Sequence, residues 1–171
     1  QLQKYQFEKI FPGCRLMDIH EFLMEKGISL NSDTGKKYMF HDPCHSPTRI
    51  YDGTKVASTL LNQQMPLCDR CCGDSGSFAY SRPDIATQVK FRKQQEIEKV
   101  AADLRSDGFS GEVKILTTCP ACAQGLSRYE NDANTKVDYI VVELAEFVLG
   151  KNWLDDYIQK ANNGGIERVV L

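Results

Sequence analysis

The chain has 171 residues, of which 42% are hydrophobic and 26% are charged, a composition that suits one globular domain and excludes wholesale disorder. Its 23 acidic and 21 basic side chains leave a net charge of -2, which argues against a protein that binds nucleic acid through phosphates. The longest apolar stretch, residues 139–149, contains Glu143 and Glu146 and is too short to cross a bilayer.

The chain begins at Gln1 without a methionine, and its first residues lack the basic and apolar regions of a signal peptide. We therefore expect a single domain over residues 1–171 that forms the C-terminal fragment of a longer, multidomain protein. With no transmembrane pattern, we expect a cytoplasmic location, where contact with a membrane would arise only through a larger complex.

Helix and strand signals alternate along the first half of the chain. In chain order, the patterns predict a helix over 16–27, a turn over 31–35, a strand over 36–41, a helix over 55–62 and a weaker strand over 64–67. The strand over 36–41 is ended by Asp42-Pro43, and we expect Pro43-Cys44 to lie at a helix start.

The second half continues the alternation. Pro83 suits the first turn of a long helix that stops at Asp107-Gly108, and Pro120 suits another helix start. The remaining predictions are strands over 113–118 and 137–142, helices from about 144 and over 153–161, and an apolar tail over 166–171. The basic residues of the long helix are expected on its solvated face: Lys90, Arg92, Lys93 and Lys99.

This alternation predicts an α/β fold with three layers, in which helices flank a mostly parallel, Rossmann-like sheet. Ligand sites in such sheets lie beyond the carboxyl ends of the strands. Cys44, the Cys71-Cys72 pair and Cys119 each follow a predicted strand. We therefore expect cysteines that are distant in sequence to meet at the carboxyl edge of the sheet.

The seven cysteines are the unusual feature of the composition. They are Cys14, Cys44, Cys68, Cys71, Cys72, Cys119 and Cys122. An odd number without a secretory signal does not indicate an extracellular disulfide framework, so metal binding or redox chemistry is the favoured role. Cys14 stands apart and is interpreted as structural.

Cys119 and Cys122 form a C-x-x-C motif at a strand-to-helix junction, where the helix N-terminus favours thiolate. The motif alone fits a redox dithiol, half of a zinc site or half of an iron–sulfur site. The adjacent Cys71 and Cys72 suit a polynuclear cluster better than one tetrahedral zinc. Cys68 is a candidate sixth member, although its simpler interpretation is a small buried apolar residue.

Three stretches together resemble a known family. They read His-Asp-Pro-Cys-His at 41–45, Cys-Cys-Gly-Asp-Ser-Gly-Ser at 71–77 and Thr-Cys-Pro-Ala-Cys at 118–122. In this order they resemble the CCG cysteine-rich domain that occurs in heterodisulfide reductase and in the iron–sulfur subunits of glycolate and lactate oxidases. The resemblance covers residues 36–149, with a shorter first gap and a longer second gap between motifs than is usual.

The resemblance implies an iron–sulfur cluster, either of 4Fe–4S type or in a non-cubane form. The implied ligands are Cys44, Cys71, Cys72, Cys119 and Cys122. Residues 139–146 also resemble the end of large chains that join a flavin-linked oxidase domain to iron–sulfur domains. This likeness implies FAD in the parent chain or a partner, and a 2-hydroxy acid as substrate. Zinc is expected as a substitute in protein that is purified in air.

Several further residues are candidates for supporting the centre. They are His41, His45, Cys68, Gly73 and Gly76. A histidine at a strand end more often hydrogen-bonds to backbone than binds metal, so both interpretations of His41 and His45 stay open. The loop at 73–77 lacks the spacing of a phosphate-binding motif, and its glycines fit a close backbone approach to the site.

Three functions therefore remain open at this stage. The leading hypothesis is an electron-transfer domain of a flavin-linked oxidoreductase, with substrate oxidised outside this chain. The alternatives are thiol–disulfide exchange by the C-x-x-C pair and a structural zinc module.

Overall fold

The computed structural model of the protein describes residues 7–30, 34–74 and 77–164. Gly76, residues 31–33 of the predicted turn and the predicted tail over 166–171 lie outside these ranges. The strands are β1 (Lys37–His41), β2 (Val113–Thr117) and β3 (Lys136–Tyr139). The helices are α1 (Phe7–Ile10), α2 (Ile19–Glu25), α3 (Gly53–Leu61), α4 (Phe78–Ser81), α5 (Pro83–Arg105), α6 (Pro120–Ser127), α7 (Glu130–Ala133), α8 (Ile140–Leu149) and α9 (Trp153–Asn162).

The three strands form one parallel sheet in the order β1-β2-β3. At its carboxyl edge, His41 pairs in register with Thr117, and Thr117 pairs with Tyr139. The predicted α/β fold with a parallel sheet is confirmed. Because all three strands run the same way, the segments that follow them emerge at one edge of the sheet.

Side chains that alternate along the strands divide the core into two layers. Tyr38 and Phe40 enter one apolar cluster with residues of α3 and α8, and Met39 enters the other with residues of α5 and α6. Helices therefore cover both faces, as the three-layer prediction requires. We call the side of α3 and α8 the first face and the side of α5 and α6 the second face.

A network of buried charges lies within the first face. Glu143 of α8 accepts hydrogen bonds from Lys114 at 2.6 Å, Lys36 at 2.7 Å and the Tyr38 hydroxyl at 2.7 Å. Burial opposes ionisation of Glu143, but the bonds from Lys114, Lys36 and Tyr38 outweigh it and hold the pKa of Glu143 below its usual range. We refer to these four residues as the Glu143 network.

Three local predictions are wrong. Residues 64–67 do not form a strand and contribute one β-bridge, between Phe40 and Leu67. β3 ends at Tyr139, and residues 140–142, predicted as strand, begin α8. Pro43-Cys44 lies in a loop rather than at a helix start, since α3 begins at Gly53 after the N-cap Asp52.

Lys93 corrects the predicted solvated face of the long helix. Its side chain is fully buried under the second face of the sheet, in line with the buried residues Ala86 and Ile97 of α5. Arg92 and Lys99 are exposed, as the sequence predicted. Among the described helices, none combines the length and the apolar character that a membrane crossing requires.

Candidate metal centre

A cavity of about 290 Å³ opens at the carboxyl edge of the sheet. It is lined by His41, Asp42, Pro43, Cys44, Asp69, Cys71, Cys72 and Cys122. These residues come from the end of β1, from the loops that follow β1 and Leu67, and from the first turn of α6. The parallel sheet thus brings together side chains that are up to 81 positions apart in the chain (122 − 41 = 81).

Cys72 and Cys122 form the inner wall of the cavity. Both are buried, and their sulfur atoms lie 3.5 Å apart. The contact with the Cys122 sulfur, followed by the nearby His41 ring, lowers the pKa of Cys72 well below that of an ordinary thiol. The same sulfur contact raises the pKa of Cys122. The lowered pKa favours thiolate at Cys72, and thiolate is the form of cysteine that binds a metal cation.

His41 lies beside this sulfur pair. A ring nitrogen of His41 and the sulfurs of Cys72 and Cys122 all lie within 4.8 Å of one another. Nδ1 of the ring is 2.9 Å from the carbonyl oxygen of Cys68, whereas Nε2 is buried and has no hydrogen-bond partner among the described residues. A buried polar atom without a partner is costly, so Nε2 is a candidate ligand atom.

Cys44 and Cys71 form the outer rim, where both side chains are exposed. The backbone N–H of Gly73 donates to the sulfur of Cys71 at 3.4 Å. The loop that carries Cys44 is fixed further along by Glu21 of α2. One carboxylate oxygen of Glu21 accepts the backbone N–H groups of residues 49, 50 and 51, at distances of 2.6 to 3.0 Å.

Cys119 is the predicted ligand that does not line the cavity. It is the N-cap residue of α6, is half-buried, and packs against the apolar cluster that contains Cys72 and Cys122. After Cys72 and burial, Cys119 also contributes to the raised pKa of Cys122, so the two side chains are neighbours. The structure thus brings four predicted ligands into one cavity and places the fifth beside it.

Cys68 is buried and interacts with polar groups on α5. Its sulfur lies 3.2 Å from a carboxylate oxygen of Glu96 and 3.1 Å from Nζ of Lys93. Burial raises the pKa of Cys68 to about 11, and the nearby Lys93 only partly opposes this effect. It therefore remains a neutral thiol, in agreement with its interpretation as a small buried residue.

The other predicted supporting residues divide into two groups. Gly73 is buried, has a φ of +73°, and a Cβ there would lie 2.9 Å from Cγ of Lys90. The left-handed backbone and the contact with Lys90 both favour glycine here, and the approach of its backbone to a metal centre stays a prediction. His45 is exposed and does not line the cavity.

Sequence reasoning missed Lys93 and Glu96 as neighbours of the site. Nζ of Lys93 lies 2.7 Å from the carbonyl oxygen of Cys68 and 2.9 Å from a carboxylate oxygen of Glu96. Lys93 precedes the buried Ile97 by four residues, so it shares the apolar side of α5. The four-residue spacing between Lys93 and Ile97 was the sequence signal that could have predicted the burial of Lys93.

The donor set fits a soft metal centre. Thiolate sulfur and imidazole nitrogen are the ligands that iron–sulfur clusters and zinc prefer in proteins. The clustered sulfurs and the unpartnered Nε2 of His41 satisfy this requirement within the described residues.

Sequence comparisons give a consistent result. The chain is 24% identical over 143 residues to an uncharacterized iron–sulfur protein of Methanococcus maripaludis, which covers 76% of this chain and 26% of that protein. It is 31% identical over 88 residues to the glycolate oxidase iron–sulfur subunit of Escherichia coli, which covers 48% and 22%. It is 24% identical over 116 residues to a subunit of the fumarate reductase (CoM/CoB) of Methanothermobacter marburgensis, which covers 63% and 21%.

The predicted resemblance to iron–sulfur proteins is confirmed. The chain spans about a quarter of the length of the curated relatives it matches. Residues 127–171 also match a family model described as a domain of unknown function, DUF3400. No solved structure matches the chain.

Proposed function

We propose that the chain is an iron–sulfur electron-transfer domain of an oxidoreductase. In this proposal Cys44, Cys71, Cys72, Cys119 and Cys122 hold the cluster. The observation that supports this proposal is that four of these cysteines line one cavity at the sheet edge and that Cys119 lies beside it. The iron–sulfur character of the relatives supports the choice of cofactor.

A bound cluster supplies one-electron chemistry, and the chain's own residues set the conditions for it. The buried Cys72 and Cys122 hold negative charge in a site that excludes water on its inner side. The N–H of Gly73 donates to the sulfur of Cys71, and such bonds stabilise charge on a ligand sulfur. The exposed Cys44 and Cys71 place the outer rim within reach of a redox partner.

The proposal extends to the rest of the molecule. We expect a flavin-binding oxidase domain and further iron–sulfur domains, in the same chain or complex, because the chain matches only about a quarter of each relative. The name of the Escherichia coli relative supports a 2-hydroxy acid such as glycolate or lactate as the substrate oxidised there. Reduced thiols in such number favour the cytoplasm as the compartment.

Anaerobic reconstitution of the chain with iron and sulfide tests the proposal. We expect bound iron and sulfide, a visible absorption band that bleaches on reduction, and an EPR signal in one oxidation state. Cys72→Ser and Cys119→Ser should each lose most of this iron. Cys14→Ser is the matched control, because Cys14 is exposed and does not line the cavity, and it should load like the wild type.

The same preparation separates the rival functions. A wild-type chain that binds no iron and sulfide, but reduces disulfides without metal, would contradict the proposal in favour of thiol exchange. One tightly held zinc that anaerobic iron and sulfide cannot replace would favour the structural zinc module. Loading that is unchanged in both cysteine variants would show that the cavity is not the binding site.

A further inference from the structure

His41 is a buried residue of the cavity that the proposed set of five cysteine ligands does not include. The side chain is only 1% exposed, lines the cavity and lies with Cys72 and Cys122 in a compact group of donor atoms. One ring nitrogen, Nδ1, is turned toward the carbonyl oxygen of Cys68 and toward Lys93. Nε2 is therefore the ring nitrogen that is available to the cavity.

Lys93 and the Cys68 carbonyl oxygen both contact Nδ1, and they bear on which ring nitrogen carries a hydrogen. An ammonium group has three hydrogens and no acceptor. Its three shortest contacts are to the Cys68 carbonyl oxygen at 2.7 Å, to Glu96 at 2.9 Å and to the Cys68 sulfur at 3.1 Å. Nδ1 of His41 is the fourth and longest contact, at 3.2 Å. Because sulfur is a weak acceptor, these distances leave Lys93 able to donate to Nδ1, and the Cys68 carbonyl oxygen is the contact that distinguishes the two tautomers.

A hydrogen on Nδ1 of His41 is favoured, because the oxygen beside it can only accept and two acceptors at this distance would repel each other. The Cys68 carbonyl oxygen, 2.9 Å away, accepts it, because a carbonyl has two lone pairs and Lys93 occupies only one. A neutral imidazole with its hydrogen on Nδ1 has a lone pair on Nε2. Metal-binding histidines commonly show this arrangement, in which the distal N–H is fixed by a backbone carbonyl.

We propose that Nε2 of His41 is a direct ligand of the metal centre, at the same metal ion as Cys72 and Cys122. The inference rests on the proposed function and deepens it, since it adds a nitrogen ligand to the cysteines. Lys93 and the Cys68 carbonyl are the positioning groups that fix the ring and its tautomer. Nε2 is buried beside the two sulfurs and has no hydrogen-bond partner in the part of the chain that the structure describes, and this is the observation that points to a ligand.

A nitrogen ligand changes the electronic properties of the centre. Imidazole is neutral where thiolate is negative, and iron–sulfur centres with histidine in place of cysteine have higher reduction potentials. With histidine rather than cysteine at position 41, the centre should have the higher reduction potential. His41→Cys should reverse this effect and shift the midpoint potential downward.

Pulsed EPR of the full chain, reconstituted anaerobically with iron and sulfide, tests the inference. Wild-type protein with unlabelled histidine should show a strongly coupled imidazole nitrogen, and 15N-histidine labelling should change that signal. His45→Asn is the matched control, because His45 is exposed and off the cavity, and it should keep the signal. His41→Asn should lose it. The asparagine amide can donate to the Cys68 carbonyl in place of Nδ1, but it has no atom at the Nε2 position.

The wild-type spectrum alone decides the inference, whether or not the variants fold. A loaded cluster that shows only weak nitrogen coupling, as a hydrogen bond from Nε2–H to sulfur would give, overturns the histidine ligand and leaves the proposed function intact. A wild-type chain that takes up no cluster overturns both. An unchanged midpoint potential in a loaded His41→Cys protein would also count against ligation.

Discussion

Two buried polar clusters lie on opposite faces of the sheet, and they differ in how completely their hydrogen bonds are made. In the Glu143 network on the first face, both carboxylate oxygens accept bonds from Lys114, Lys36 and Tyr38. At the carboxyl edge, by contrast, several buried atoms have no partner among the described residues. They are Nε2 of His41, Oδ1 of Asp42, and the hydroxyls of Thr117 and Thr118.

This difference distinguishes a cluster that stabilises the fold from one that is a candidate binding site. A buried network in which every group is satisfied rigidifies a fold, whereas unpaired buried groups persist in native proteins where something else is bound. The composition of the two clusters alone would not reveal this, since both combine charged and hydrogen-bonding side chains. Unpaired buried atoms also occur at His20, Gln63 and Thr135, so the carboxyl edge is distinguished as a candidate ligand site by the buried sulfur pair beside them.

The largest expected effect comes from breaking the satisfied cluster. Glu143→Gln removes the charge that compensates the buried Lys114, so we expect a loss of about 3 kcal/mol in the free energy of unfolding. Urea denaturation measures it. Glu112→Gln is the control. The Glu112 side chain is exposed and its carboxylate lies as far as 4.0 Å from Nζ of Lys36, so this substitution should change the free energy of unfolding by less than about 0.5 kcal/mol.

The same substitution has a predictable pH dependence. In the folded protein the pKa of Glu143 lies below its usual value of 4.5. Ionised Glu143 therefore stabilises the fold at pH values above 4.5, and this stabilisation is lost as the pH falls through the folded pKa. The difference between wild type and Glu143→Gln should therefore shrink below about pH 4.5. A difference that stays constant down to the acid unfolding of the protein would contradict the ionised network.

A smaller effect should separate backbone strain from damage to the site. Gly73→Ala and Gly108→Ala both place a side chain at positive φ, +73° and +84°, and each should cost about 1–2 kcal/mol in urea denaturation. Only Gly73 adjoins the cysteine pair, and an added Cβ there also meets Lys90. Gly73→Ala should therefore bind less iron, and Gly108→Ala should bind as much as wild type. Equal iron loss in both would attribute the effect to stability alone.

The smallest effect compares one hydroxyl from each cluster in the metal-free protein. Tyr38→Phe removes a donor from Glu143 and should cost about 1–2 kcal/mol. Thr117→Val removes a buried hydroxyl that has no partner among the described residues, so the variant should be more stable than wild type by about 1 kcal/mol. If Thr117→Val proved as costly as Tyr38→Phe, the hydroxyl at the sheet edge would be satisfied after all, and the comparison would fail.

The parallel sheet and the convergence of the cysteines were predictable because they depend on local signals and on one topological rule. Pro83 and Pro120 mark helix starts, and strands of like direction end at one edge. The start of α8 was not predictable. Residues 140–142 are an apolar run that suits a strand and a buried helix equally, and tertiary packing decides between them.

The role of His41 lies further from the sequence. Its position at a strand end was evident, but its tautomer depends on Lys93, which comes 52 residues later, and on a carbonyl of the Cys68 loop. Charge patterning placed Lys93 in solvent because lysines are seldom buried. Only the three-dimensional arrangement shows a buried lysine that contacts both the histidine and the carbonyl oxygen beside it.

The Glu21 carboxylate has a practical consequence for where this unit can be cut. The motifs lie within residues 36–149, yet the loop after Cys44 is tied to α2 by three backbone bonds to one oxygen atom. Trimming the chain to residues 36–149 would remove Glu21 and its three hydrogen bonds to that loop. The loop that carries Cys44 would then lose its attachment to α2. An autonomous version of the domain has to start upstream of Asp18, whose side chain caps the helix that carries Glu21.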